Sequence, residues 1–143
     1  MRSFQTQDPD FERRVRESFG RQQVMQLIGA GLSRVEPGAV DIVLPYRQDL
    51  TQQDRYIHAG ILTTVADSAC GYAAYTLMPA GAQVLSVEFK VNLLRPAAGE
   101  VFVAQARVVK AGKTLTVTSC DVYGRVADET KLVATMLATM IRQ

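Results

Sequence analysis

Gln52–Leu77 reads QQDRYIHAGILTTVADSACGYAAYTL, and from His58 onward its spacing decides the fold. Ile61, Leu62, Val65, Ala66, Ala69 and Ala73, completed by Tyr72 and Thr76, recur at the i, i+3, i+4 spacing of a helix that wants a core on that side. At about 100° per residue, Thr63, Thr64, Asp67, Gly71 and Ala74 gather on a second face that is small and polar. The stripe predicts a cleft or an intersubunit seam along a helix too apolar to lie on a surface. Alanine and glycine let a curved sheet approach closely, so the spacing predicts a long central helix, about His58 to Leu77, with a sheet wrapped around it. A carboxylate within such a run costs free energy to bury, so Asp67 points to chemistry. The plainer reading is a hydrogen bond from Asp67 to a neighbouring backbone or hydroxyl group.

Outward from the helix the period changes. Met78-Pro79-Ala80-Gly81 ends the helix, and Leu85, Val87, Phe89, Val91 and Leu93 then alternate with Ser86, Glu88, Lys90 and Asn92. The first set is expected on the core face of a strand. Arg95-Pro96-Ala97-Ala98-Gly99 turns the chain into Glu100–Lys110, Ala111-Gly112-Lys113 turns it into Thr114–Tyr123, and a last strand covers about Lys131–Met140. Upstream, Leu32–Glu36 and Ala39–Tyr46 read as strands joined at Glu36-Pro37-Gly38. Before them lies a helical segment over 1–30. Asp8 is expected as its first N-cap, Phe11, Val15 and Phe19 form its stripe, and a second short helix, about Gln22–Ile28, ends at Gly29. Arg13, Arg14 and Arg16 are expected on a solvated face. Two strands, one long helix and four strands predict a single α+β domain over 1–143, with a mostly antiparallel sheet of about six strands. An open sheet leaves an edge, and pairing two copies there would bury it, which predicts a homo-oligomer.

Composition narrows the function. The chain has 143 residues, 48% of them hydrophobic, enough for one domain with a core, and no apolar run reaches the roughly 18 residues of a membrane span. No charged-then-apolar leader opens it, so a soluble cytoplasmic protein is expected, with no membrane partner. A net charge of +2 does not indicate a nucleic-acid surface. Cys70 and Cys120 have neither metal-ligand nor CxxC spacing and are expected as reduced thiols. With one histidine in the chain, zinc lacks a ligand set, and no GxSxG frames a serine nucleophile.

His58, Ala59 and Gly60 fall where the helix should begin. Its first backbone N–H groups have no internal partner, and with the positive end of the helix dipole they can stabilise a carbonyl oxygen gaining negative charge. Asp67 lies about two and a half turns farther along, at about 1.5 Å per residue. It cannot easily reach a carbonyl held at its own helix start. A second subunit could bring another copy of Asp67 there, which makes a site shared across a dimer attractive.

On the Val35-Glu36-Pro37-Gly38 turn, on His58-Ala59-Gly60 with Asp67, and on Val91-Asn92-Leu93-Leu94-Arg95-Pro96-Ala97 followed by Gly99-Glu100, the chain resembles the hotdog-fold thioesterases of the phenylacetate-pathway (PaaI-like) type. The resemblance covers nearly its whole length. Family members usually carry His-Gly-Gly at the helix start, an Asp or Glu nine residues after the His and an Asn or Gln six residues before it; His58, Asp67 and Gln52 match that spacing. Ala59 departs from the usual Gly, and its methyl group suits the role only at negative φ. The resemblance implies a hotdog fold and hydrolysis of an acyl-CoA thioester at a dimer interface. Asp67 of one subunit would act there as nucleophile or general base, opposite Gln52, His58 and Ala59 of the other.

In that reading His58 orients the thioester and the helix start, Gln52 positions water or the carboxylate, and the Ala59 amide polarises the carbonyl; the plainer readings are a cap of the loop Leu50–Tyr56 for Gln52 and a helix-start residue bonded to backbone for His58. Gly60 completes the helix start, and Thr63, Thr64 and Gly71 line the acyl side. Ser86 matches a position that lines the site in some members, although alternation puts it opposite the Leu85–Leu93 face. Lys110, Gly112, Lys113 and Thr114 form a basic turn like those that hold coenzyme A phosphates, to which Arg95 adds charge; a solvated hairpin is the plainer reading. Coenzyme A enters as part of the substrate, with no separate cofactor and no metal, and the assembly would be a dimer or a dimer of dimers. A hotdog dehydratase would need other spacings and motifs. A non-catalytic acyl-CoA binding or sensing module is favoured by Ala59 alone.

Overall fold

The computed structural model describes residues 3–143, so the first two residues of the expected 1–30 segment lie outside it. In chain order the elements are α1 (Phe11–Arg21), α2 (Gln23–Ile28), β1 (Gly31–Glu36), β2 (Ala39–Pro45), α3 (Ala59–Tyr75), β3 (Val84–Leu93), β4 (Val101–Ala111), β5 (Leu115–Val126) and β6 (Glu129–Arg142). The six strands form one sheet in the order β1-β2-β4-β5-β6-β3, antiparallel at every pairing. It wraps α3, the hotdog arrangement. Among the described residues no helix is long and apolar enough to cross a membrane.

Strand alternation builds the inner face. Val40, Ile42 and Leu44 of β2, Phe102, Ala104 and Ala106 of β4, Cys120 and Val122 of β5, and Met136, Ala138 and Met140 of β6 are all buried against Leu62, Val65, Ala66, Ala69, Cys70 and Ala73 of α3. Each fully buried Val, Leu, Ile, Phe or Met contributes about 1.5–3 kcal/mol. The alanines leave no bulk between helix and sheet, which allows one helix to touch strands on several sides.

The N-terminal segment packs on this core through the fully buried Val15 and Met25. Asp8, expected as N-cap, lies two residues before Asp10, the residue that flanks α1: Asp8 Oδ1 accepts from the Asp10 amide at 2.9 Å, whereas Asp10 makes no side-chain cap of its own. Arg13 and Arg16 face solvent as expected, but Arg14 does not. It pairs with Asp8 at 3.0 Å, lies 4.3 Å over the Tyr75 ring, and donates to the carbonyls of Tyr75, Met78 and Pro79 at 3.3, 2.8 and 3.0 Å. Those carbonyls belong to the C-terminal end of α3 and the turn after it, where helix geometry leaves acceptors unpartnered and the dipole favours a cation.

The clearest strand in the sequence holds the main correction. β3 pairs with β6 as Ser86↔Met140, then Glu88↔Thr139 and Phe89↔Ala138, so Val87 is an inserted residue, a β-bulge. One extra residue reverses the facing of everything beyond it. Ser86 therefore shares the inner face with Phe89, Val91 and Leu93, while Leu85, opposite Ile141, turns to the outer face. The expected single Leu85–Leu93 core face does not exist. β3 also has a strand on one side only, and Leu85, Val87, Phe89 and Leu93 are 43–54% exposed.

Thr76 ties the helix end to the first hairpin. It is fully buried, its Oγ1 accepts from the Gly38 amide at 2.8 Å and donates to the Ala73 carbonyl at 2.7 Å. Thr76→Val keeps the shape but strands the Gly38 N–H, which should cost about 1–3 kcal/mol. Thermal unfolding should show a Tm lower by several degrees; a Tm equal to wild type would mean that the Gly38 amide finds water instead.

Candidate functional site

Two loops hold the start of α3. The His58 amide donates to the Leu50 carbonyl at 3.0 Å and the Ile57 amide to Ala97 at 3.2 Å. His58 (φ −58°, ψ 137°) then caps the helix, its Nδ1 accepting from the Gly60 amide at 2.9 Å. That bond uses the Nδ1 lone pair and leaves Nε2 to carry a proton. Gly60 is there for the imidazole: a Cβ at this position would sit 3.1 Å from His58 Nδ1. Ala59, the first helical residue, is not among the residues at positive φ, which meets the condition for its methyl group. Its N–H has no partner among the described residues.

Gln52, Ala59 and Arg95 come together in a cleft of about 420 Å³, lined also by Tyr56, Leu62 and Leu94. Gln52 Oε1 accepts from the Asp54 and Tyr56 amides, so this side chain does cap its loop, and its amide nitrogen remains for other work. Arg95 Nη1 donates to the Leu132 carbonyl at 2.8 Å, which fixes its stem at the cleft rim.

Asp67 opens into a different cleft. Its Oδ1 accepts from Ser86 Oγ at 2.6 Å, and its other oxygen has no partner among the described residues. The hydroxyl bond that the plainer reading proposed is present, but it occupies half of the carboxylate. A cavity of about 270 Å³ lies against it, lined by Ser18, Gln22, Ser68, Gly71, Tyr72 and Met140 among others. A Cβ on Gly71 would reach to 4.0 Å from Met140 Sδ, so the missing side chain keeps this space open. Thr63 and Thr64 sit outside both clefts, and their hydroxyls donate to the Ala59 and Gly60 carbonyls one turn back, each at 2.8 Å.

Ser18, Gln22 and Ser68 carried no signal in the sequence and Tyr72 read only as part of the core face, because the four meet only through α1 and α2 folding back on α3. Ser18 Oγ lies 3.1 Å from Tyr72 Oη, Gln22 Nε2 donates to that oxygen at 3.3 Å, and Ser68 Oγ donates to Gln22 Oε1 at 2.8 Å. Burial pushes the Tyr72 phenol up, so it stays protonated.

The basic hairpin is a third locality. Gly112 and Lys113 line a groove of about 440 Å³ with Leu77, Met78 and Arg142, whereas Lys110 lies on β4 and Thr114 in the turn before β5, both outside that lining. Arg142 donates its amide to Thr114 at 2.9 Å, which places the hairpin at the Met140 end of the sheet. Cys70 and Cys120 are unbonded to each other covalently and fully buried. The hydrogen bond with Cys70 and then burial hold the Cys120 thiol well above its ordinary range, so it is no nucleophile. Among the described residues no group of three or more His, Cys, Asp or Glu could hold a metal ion.

The thioesterase superfamily model matches residues 55–129, more than half the chain, from the loop before α3 through β5. The chain belongs to the thioesterase superfamily, and it is a thioester hydrolase. It is 50% identical to a thioesterase family protein from Silicibacter pomeroyi, whose crystal structure superposes with a TM-score of 0.91 over 92% of this chain and 97% of that one. The PaaI protein of the E. coli phenylacetic acid degradation operon has the same fold, with a TM-score of 0.84, 19% identity and 96% of both chains covered. A Halobacterium salinarum protein, named only provisionally as an esterase, is 30% identical over 69% of this chain and 68% of its own length.

The helix start generates a test of its own. Gly60→Ala drives a methyl group into the His58 ring and should cost about 1 kcal/mol as the cap is lost, read as a lower denaturant midpoint. An unchanged midpoint would show that the imidazole moves aside without loss.

Proposed function

We propose that this protein hydrolyses an acyl-CoA thioester to a carboxylic acid and free coenzyme A, in sites shared between the two subunits of a homodimer. One observation carries the reading: an unpartnered Ala59 N–H and a half-free Asp67 carboxylate open into separate clefts of one chain. Eight residues of helix separate them, about 12 Å along the axis. β3 runs from one cleft to the other, with Val84, Leu85 and Ser86 at the carboxylate cavity and Leu93 at the helix-start cleft. Antiparallel pairing of two β3 edges about a two-fold axis would bring the start of one strand beside the end of the other. That supports a site combining Asp67 of one subunit with Gln52, His58 and Ala59 of its partner.

In such a site the Ala59 N–H, at the positive end of α3, donates to the thioester oxygen as it gains charge. Ser86 steers Asp67 so that its free oxygen meets the carbonyl carbon or a water. As nucleophile, Asp67 forms a mixed anhydride and expels the thiolate, and water then cleaves the anhydride. As base, it takes a proton from the attacking water. Either route consumes one water and releases one acid and one thiol. Arg95 and the hairpin Lys110, Gly112, Lys113 and Thr114 supply positive charge and backbone donors for the coenzyme A phosphates, while Gly60 makes room for the capping imidazole and Gly71 keeps the cleft beside Asp67 open. Thr63 and Thr64 lie on α3 between them, facing the seam. Ala59 does not favour the binding-module alternative, since its helical φ leaves the donor in place.

Release of coenzyme A thiol from aryl, short-chain and long-chain acyl-CoA substrates tests the assignment. Asp67→Asn should lower turnover by at least about 100-fold with near-normal folding. Wild-type turnover in that variant would remove Asp67 from the chemistry. Ser86→Ala should lower kcat about tenfold with little change in KM, because it frees the carboxylate to rotate. Ala59→Pro removes the one donor in question at a helix position where proline fits, so it should fold normally and lose about 100-fold or more. Mixing the Asp67→Asn and Ala59→Pro chains should restore roughly a quarter of wild-type activity, since half of the random dimers carry one intact site of two. No restoration would place both groups of a site on one chain.

A further inference from the structure

Among the described residues, two other than glycine have positive φ, Arg55 at 70° and Ala127 at 51°. Ala127 lies in the two-residue turn between β5 and β6, where the twist of a hairpin calls for such a residue. Arg55 closes a three-residue loop. Inside the pairing of Thr51 with Ile57, the Gln52 amide donates to the Tyr56 carbonyl at 2.9 Å and the Arg55 amide to the Gln52 carbonyl at 3.1 Å. A loop of this kind ends on a left-handed residue, and glycine suits it because it has no Cβ to strain. With arginine there, the shape has to be held from outside. Tyr46 holds it: its ring packs against the core, its amide donates to the Glu100 carbonyl at 2.9 Å, and its Oη donates to the Arg55 carbonyl at 3.0 Å. That last bond is exposed, and water would satisfy the carbonyl as well, so it adds little to the stability of the domain. A left-handed arginine fixed by a bond of little global worth points to local function.

We propose that Tyr46 and the left-handed backbone of Arg55 are positioning residues for hydrolysis, holding the Gln52–Tyr56 loop in the shape that turns the Gln52 amide nitrogen toward the cleft beside the Ala59 N–H. The inference rests on Gln52 being a group of the active site. Gln52 Oε1 faces two N–H donors, those of Asp54 and Tyr56 at 2.5 and 3.4 Å, so the oxygen and not the nitrogen must lie on the loop side. Nε2 then projects from the other side of the amide plane, without a partner among the described residues, and Gln52 lines the cleft of about 420 Å³ together with Ala59. Were Arg55 to leave the left-handed region, the peptide that carries the Tyr56 N–H would rotate away from Oε1. The Gln52 amide would then be free to turn over. Tyr46 prevents this from a fixed point, because its own ring and backbone are anchored outside the loop.

Steady-state thiol release from one acyl-CoA substrate tests this in a double-mutant cycle. Tyr46→Phe keeps the ring and removes only the hydroxyl, so kcat should fall about fivefold while KM changes by less than about twofold and Tm stays at the wild-type value. In a Gln52→Ala background the same substitution should change kcat by less than about twofold, because the loop then has no amide to aim. Arg55→Val forces a β-branched residue into the left-handed region and should reproduce the loss in kcat; Arg55→Asn, which tolerates that region, should recover most of it. Wild-type kcat in Tyr46→Phe, or losses that multiply in the double variant, overturns the positioning role and leaves hydrolysis and Gln52 in place. A loss in Arg55→Asn as large as in Arg55→Val also overturns it, since the guanidinium and not the backbone would then be responsible. Wild-type turnover in Gln52→Ala alone removes Gln52 from the site, and the positioning role falls with it.

Discussion

A rigid, buried helix holds the open Ala59 N–H and the Asp67 carboxylate about 12 Å apart, and that fixed separation constrains the proposed chemistry. α3 is wrapped by the sheet and packed through alanines, so no hinge or side-chain rotation can bring Asp67 to the Ala59 amide of the same helix. Chemistry that needs both groups has to draw on a second copy. The edge strand β3 offers the route, because it leaves apolar side chains exposed on a strand with one free side and spans both clefts.

The bulge at Val87 matters for the same reason. With regular pairing, parity would send Ser86 to the outer face and turn Leu85 toward Asp67, leaving the carboxylate without an orienting hydroxyl. One inserted residue exchanges them. Edge strands tolerate such insertions because only one neighbouring ladder is disturbed. The device that weakens the strand as a sheet element is therefore the one that gives the carboxylate a fixed direction.

Much of this was legible in the sequence. The apolar period of α3 sets its limits to within two residues, and turn residues mark the β1–β2, β3–β4 and β4–β5 connections, whereas the turn between β5 and β6 carried no such mark. The spacing of Gln52, His58 and Asp67 is legible through family resemblance, and the cap geometry supplies the physical role of His58. Ser86 was named through the resemblance, but its inward facing was hidden because Leu-Ser-Val-Glu-Phe alternates equally well with or without a bulge. Arg14 was hidden because its partners are backbone carbonyls more than 60 residues away, which no side-chain pattern announces. Thr63 and Thr64 fall on the predicted stripe, but a hydroxyl on a helix can turn back to the preceding turn, and both do. The cluster of Ser18, Gln22, Ser68 and Tyr72 exists only after contacts across 46–54 residues have formed.

The two ends of α3 are treated in opposite ways. At the C-terminal end, Arg14 takes the carbonyls of Tyr75, Met78 and Pro79, Thr6 takes that of Thr76 and Gln7 that of Leu77. Stability accounts for this, since acceptors left bare there would oppose burial of the helix end. At the N-terminal end His58 takes the Gly60 amide, but Ala59 is left open beside a cleft. A chain selected for stability alone would close that donor as thoroughly as the carbonyls. The Ala59 N–H is thus the donor at the start of α3 that the fold leaves without a protein partner, at the edge of a cleft. The N-terminal segment sharpens the contrast: through Arg14 it seals one end of α3, and through Ser18 and Gln22 it lines the cavity beside Asp67.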